Sequence, residues 1–332
     1  MIRLFNHSHP SVYLALLALA ALCFGVIPFY PEPLPYNFSG PNHVAMVSLL
    51  QYKWLVYVLV VIIGFFNSVI LNSLFIERQS SSRSSHLPAA LFILVSAIAS
   101  PVGYMLHNQF MILFFLTAVF FIQQLESSTN EVNSSFFIGL FIALGSVFNP
   151  FVLLLIFWAL WRSINTRYSL SRVLFLMLIG YIITLYLIWT GNFLFNNGQV
   201  FIDSYFSIFS LKMADFNVAF IDKLSYGFFG IMALISILAT LSSEAYKSVQ
   251  SRSWLQLWIS IGFTFAAVAI VFDTHQSAFQ IAAIPIAGLL CFSILGKKRK
   301  ILRQLLFYVW VLALILDHAN TLHLVDLQKS IF

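Results

Sequence analysis

Charge is what this chain lacks most: only 8% of its 332 residues are Asp, Glu, Lys or Arg, where a water-soluble domain carries about 25%. So few charges cannot cover a soluble surface, which excludes a water-soluble globule. Cysteine is almost absent too. Cys23 and Cys291 both fall inside apolar runs with no ligand-like spacing, and they read as small buried hydrophobes, not as a disulfide or a thiolate metal site. No Walker A loop, Rossmann glycine fingerprint, HExxH motif or cysteine pair is present. An ATP-driven pump and a redox enzyme with its own cofactor domain are thereby set aside, and neither cofactor nor metal is expected. His7 and His9 are too isolated to make a metal site.

What the chain has in abundance is apolar length. Hydrophobic residues make up 61% of it, 36 of them Phe, and the mean hydropathy is +0.93. Such a chain is built for lipid, where apolar side chains face outward without cost. Runs of membrane length occupy 12–29, 54–74, 87–104, 173–189, 224–241 and 254–272, with shorter ones at 281–295 and 305–317. A basic start at Arg3 precedes the first run, but no small-residue cleavage site follows it, so it is expected to stay as a first helix. Between residues 110 and 161 the pattern changes. Three runs, 110–122, 136–148 and 151–161, are each only about 11 to 13 residues long, roughly 20 Å as helices, against a hydrocarbon core of about 30 Å. The last two are separated by Asn149 and Pro150 alone.

The loops give direction. If the chain turns back at Asn149 and Pro150, 13 of its 17 Lys and Arg residues fall on one side, including Arg162, Arg167 and Arg172 and the cluster at 297–303. A continuous helix there would invert everything beyond it and break the positive-inside tendency. The basic balance of +6 is thus a topology signal, not the mark of a nucleic-acid partner. The expectation is a single all-α transmembrane domain over residues 1–332, a helical bundle of about 11 membrane segments including short central ones. The N-terminus is cytoplasmic, the C-terminus periplasmic, and the setting a bacterial inner membrane.

Two outer loops, 30–53 and 190–223, are the longest. The first contains YPEPLPYNFSGPN, whose prolines and glycine impose an extended path before a short segment from His43. In the second, residues 201–211 place Asp203, Ser207 and Ser210 on one helical stripe with aromatic and aliphatic residues around it. That pattern predicts a helix lying in the membrane interface.

Mid-span polar residues are few, and Asn67 and Ser68 read as glue between helices. Ionisable residues collect at the outer face instead: Glu32, His43 and Lys53 in the first loop, His107 in the next, Asp203, Lys212, Asp215, Asp222 and Lys223 in the long one, Asp273 and His275 in the last. Glu32, held between Pro31 and Pro33 just beyond the first span, can serve as a general base, its pKa raised by the apolar boundary. Asp273 and His275, two residues apart, can form a proton-transfer pair. His43, Lys53, Lys212, Asp273 and His275 are the candidate substrate-binding residues.

The segments MIRLFNHSHPSVYLALLALA, LNSLFIERQSSSRSSHLPAAL, FFIGLFIALGSVFNPFVLLLIFWALWR and HQSAFQIAAIPIAGLL resemble an uncharacterised family of multi-pass inner-membrane proteins from Bacteroidota, a resemblance that implies no activity. In layout the chain resembles the GT-C glycosyltransferases, with a cytoplasmic N-terminus, an acid soon after the first span and short central helices. That resemblance implies sugar or oligosaccharide transfer from a polyprenyl-phosphate carrier on the periplasmic face, with Glu32 near the acceptor. Departures are a short first loop, a lone Glu where an Asp or an acidic pair is usual, and outer loops without arginine, so that Lys212 and Lys223 would hold phosphate as point charges. The alternative is a non-catalytic scaffold or assembly partner of a cell-envelope machine. Membrane lipids are partners in either case, and envelope proteins in the second.

The basic cluster at 297–303 is the strongest orientation signal, so reporter fusions at Gly296 and Ser330 are expected to report opposite sides, cytoplasmic and periplasmic. A cytoplasmic signal from Ser330 overturns the turn at Asn149 along with the topology.

Overall fold

The computed structural model describes residues 10–30, 34, 43–76, 85–125, 131–164, 170–194, 201–203, 205, 220–241, 249–271, 277–295 and 300–322, and every regular element among them is helical. In chain order these are α1 (Ser11–Cys23), α2 (His43–Leu50), α3 (Lys53–Ile76), α4 (Leu87–Ala99), α5 (Met105–Gln124), α6 (Glu131–Phe148), α7 (Leu155–Ser163), α8 (Leu170–Leu194), α9 (Phe220–Leu241), α10 (Val249–Val271), α11 (Ser277–Leu295) and α12 (Lys300–Thr321), with 3-10 turns at Ile27–Phe29, Val102–Tyr104 and Pro150–Leu154. Among the described residues five helical stretches are long and apolar enough to cross a membrane, Ser11–Phe29, Lys53–Phe75, Val102–Gln124, Leu170–Leu194 and Arg252–Val271, and six shorter apolar helices accompany them. The chain is an all-α membrane protein. It divides into two compact units, one formed by Met1–Pro35, Leu50–Met105 and Met213–Phe332, the other by Tyr36–Leu49 and Leu106–Lys212.

The first unit is organised around α4. Every residue from Leu87 to Ala99 except Ile98 is buried, and α1, α3, α11 and α12 all pack against this one helix. A helix apolar on all sides belongs inside a bundle. It is also short. The run 87–104 predicts one span, but the helix stops at Ala99 because Pro101 forces Ser100 into an extended conformation (φ −112°, ψ 115°). At 13 residues it measures about 20 Å, and protein, not lipid, surrounds it. Its neighbour α11 is buried without interruption from Gln280 to Cys291. Gly288 of α11 lets the Phe75 ring of α3 lie against its backbone, and that ring stacks on Trp258 of α10 at 5.1 Å. Trp254 locks the same corner by donating its indole N–H to the Leu74 carbonyl at 3.1 Å.

In the second unit two expectations about length are corrected. The run 110–122 is part of the 20-residue α5, because the polar His107, Asn108 and Gln109 continue the helix while buried in protein. Likewise 136–148 extends back to Glu131. Apolar length underestimates helix length wherever polar residues find protein partners. The break at Asn149 does occur. Asn149 is extended (φ −148°, ψ 118°), its side-chain oxygen accepts the Phe151 N–H at 2.8 Å, and a 3-10 turn leads into α7. Val152 folds back against Gly145, so 136–161 is not one helix.

The pair α6 and α8 carries this unit, and two glycines let the helices touch. A Cβ on Gly139 would collide with the Met177 carbonyl, and one on Gly180 with the Phe136 carbonyl. Phe121 of α5 stacks on Phe137 and Phe141 of α6 at 5.0 and 5.7 Å. Of the helix expected over 201–211, only 201–203 and 205 are among the described residues. Phe201 and Tyr205, expected to face the membrane interface, are buried against Val147, Leu185, Ile188 and Trp189.

Gly180→Ala and Gly139→Ala are each expected to destabilise the purified protein by about 1–3 kcal/mol, since backbone must shift to admit the methyl group. Gly191→Ala, where a Cβ meets nothing within 4 Å, serves as the control. Thermal unfolding in detergent measures all three, and equal midpoints would refute the close crossing.

Candidate functional site

Three groups of polar side chains stand out among the described residues. The first is at the start of α3. Lys53 donates from Nζ to the Tyr30 carbonyl at 2.7 Å, joining the end of the first span to the start of the next. Around it is an aromatic rim: Trp54 packs edge-on against Phe29 (6.3 Å) and against Tyr57 (6.0 Å), and the Tyr57 hydroxyl donates to the Ala21 carbonyl of α1 at 3.0 Å. Phe29, Tyr52 and Trp54 are all exposed. Aromatic rings exposed beside a cation mark the boundary between hydrocarbon and headgroups.

The second group is at the other end of the same helices. Asn72 of α3 donates from Nδ2 to Nδ1 of His86 at 3.2 Å, and Tyr13 of α1 meets the imidazole edge-on at 5.1 Å. His86 is buried just before α4 begins. With Nδ1 accepting, the ring is neutral with its proton on Nε2, and burial lowers its pKa from the ordinary 6.5.

The third group lies within the second unit. Ser146 of α6 donates to the Ala143 carbonyl at 2.8 Å and meets the Tyr205 hydroxyl at 3.1 Å, and Tyr205 in turn meets the Tyr181 hydroxyl of α8. Because the Ser146 proton is committed to its own helix, Tyr205 donates to Ser146 and Tyr181 to Tyr205. Burial raises the Tyr205 pKa, so this hydroxyl holds its proton and anchors, and does not ionise. Close to the break, His107 donates from Nε2 to the Phe148 carbonyl at 3.1 Å, capping the last turn of α6 where no further helical N–H is available.

Of the residues singled out in the sequence, Lys53 is placed with its partner, and His43 begins α2. Glu32, Lys212, Asp273 and His275 lie outside the described residues. The structure therefore brings Lys53 to Tyr30, two positions before Glu32 in the chain. It also assigns Asn72, His86, Ser146, Tyr181 and Tyr205 to buried or part-buried hydrogen bonds that no motif announces. Their partners are 14 to 59 positions apart, beyond any local spacing rule.

The family described as "Family of unknown function (DUF6427)" matches residues 43–323, and the chain belongs to it. No curated protein and no solved structure matches the chain.

A lowered His86 pKa has a defined consequence for stability. Below pH 6.5 the unfolded chain takes up a proton that the folded chain refuses, so the contribution is fully present above pH 6.5 and is lost as pH falls through the lower folded value. Melting temperature is expected to drop on acidification from about pH 8 to about pH 5, and His86→Gln is expected to flatten part of that slope. Identical slopes in the two proteins would exclude the effect.

Proposed function

We propose that the chain is a transferase of GT-C type in a bacterial inner membrane, moving a sugar or oligosaccharide from a polyprenyl-phosphate carrier at the periplasmic face. The observation that supports this most is the Lys53 bond to the Tyr30 carbonyl. It ties the chain immediately before Glu32 to the head of α3, at an aromatic rim where a lipid phosphate and a water-borne acceptor can meet. In this reading Glu32 accepts the proton of the acceptor hydroxyl as that oxygen attacks the anomeric carbon, and the carrier phosphate leaves with the bonding electrons. Lys53 would bind substrate at this rim, offsetting charge on the phosphate; by sequence position alone, His43 and Lys212 are further candidates for substrate binding and Asp273 with His275 for proton transfer. Electrostatic contacts of this kind gain strength at a low-dielectric boundary.

A second reading has its own support. The burial of α4 at every residue but Ile98, and of Gln280 to Cys291 in α11, packs these two helices closely, which suits a non-catalytic scaffold for an envelope machine as well as it suits an enzyme working at its rim.

Glu32→Gln decides between them, because the amide keeps the shape but cannot take a proton. At matched protein level the variant is expected to abolish sugar transfer in membranes while leaving insertion intact, and Lys212→Ala to weaken use of the lipid-linked donor. An envelope glycan profile unchanged by Glu32→Gln would leave the scaffold reading standing.

A further inference from the structure

The outward surface of α3 changes character halfway along its length. From the rim downward Trp54, Val58, Ile62 and Phe66 are exposed at intervals of four residues, with Leu55 three before Val58, which puts them on one stripe. Beyond Phe66 no residue from Asn67 to Phe75 is exposed, because protein covers that half. The twelve-residue interval from Trp54 to Phe66 rises about 18 Å, close to the roughly 15 Å that one leaflet contributes to a 30 Å hydrocarbon core. Above the stripe sits Lys53. Its ammonium does not sweep freely as a surface lysine does, since one N–H is committed to Tyr30 O; two remain. The Trp54 ring beside it is held between Phe29 and Tyr57, and Tyr57 is bonded to α1. A fixed cation, a fixed aromatic frame and an apolar stripe one leaflet long therefore occur in line.

We infer that this face of α3 is a binding site for an anionic phospholipid of the surrounding bilayer, with its phosphate at Lys53 and an acyl chain along Val58, Ile62 and Phe66. The charge complementarity selects an anionic over a zwitterionic headgroup, and the exposed length selects a lipid of the leaflet that meets the start of α3. The site does not depend on the chain being a transferase; where it is one, the carrier phosphate and the phospholipid phosphate compete for the same Lys53 ammonium. A bilayer phospholipid here would order the rim whatever chemistry takes place beside it.

The test uses the full-length protein in phosphatidylcholine vesicles containing either phosphatidylglycerol or further phosphatidylcholine, with brominated acyl chains on the added lipid. Trp54 is the probe, its share of the fluorescence defined by subtracting the Trp54→Phe variant. Quenching of Trp54 is expected to show a preference for phosphatidylglycerol of about fivefold, the fold-change corresponding to about 1 kcal/mol for one lysine at an anionic surface. Lys53→Gln is expected to bring the preference close to one, while Lys53→Arg retains it. Should Lys53→Gln fail to insert, salt answers the same question with the unaltered chain, because screening at about 1 M should erase the preference. Equal quenching by the two lipids, a preference that survives Lys53→Gln, or one indifferent to salt overturns the site. Glu32→Gln tests transfer separately, so the two ideas can fail independently.

Discussion

A hydrocarbon medium offers no water to satisfy polar groups, and each one that enters it must find a partner in protein. Much of this structure follows from that constraint. Inside its helices hydroxyl side chains turn back on their own backbone: Ser68 to the Phe65 carbonyl, Ser96 to Ile93, Thr117 to Leu113, Thr184 to Gly180, Thr240 to Ser236. Such bonds satisfy a hydroxyl without recruiting a second helix. Where the backbone itself is interrupted, side chains supply the missing partners. Asn149 receives the Phe151 N–H and His107 caps the Phe148 carbonyl, so that the broken segment carries its own compensation.

The same constraint explains why α4 is surrounded. A helix of 13 residues is too short to span lipid with its ends in water, and its ends would leave several backbone groups unpaired at membrane depth. Enclosing it between α1, α3, α11 and α12 keeps lipid away from those ends, and Gln280 of α11 donates to the Ser96 carbonyl near one of them at 3.3 Å. The bundle of the first unit is thus arranged about a helix that could not stand at its edge. In the second unit, Tyr205 is tied by its hydroxyl to α6 and α8, so part of the 190–223 loop belongs to the packed protein.

The sequence by itself determined that this is an all-helical membrane protein, because composition and apolar run length are properties of the chain alone. The paucity of charge and the runs that became α1, α3, α8 and α10 required no tertiary information. Asn149 and Pro150 also marked a real break, since a proline's missing N–H and its effect on the residue before it act locally. What lay beyond the sequence was every feature that depends on distant partners. The true length of α5 rests on what surrounds His107, Asn108 and Gln109. The early end of α4 was written locally in Ser100 and Pro101, yet that a helix so short can exist at membrane depth depends on the helices around it. Phe201 and Tyr205 carry the amphipathic pattern of an interface helix and still pack inward, because Tyr181 and Ser146 offer a hydroxyl its partners and α6 and α8 offer a ring its contacts. Lys53 could be named from its position, but its role at Tyr30 could not. Periodicity reports which face of an element is apolar; only the tertiary structure decides whether lipid or protein lies against that face, since the two solvate an apolar side chain almost equally well.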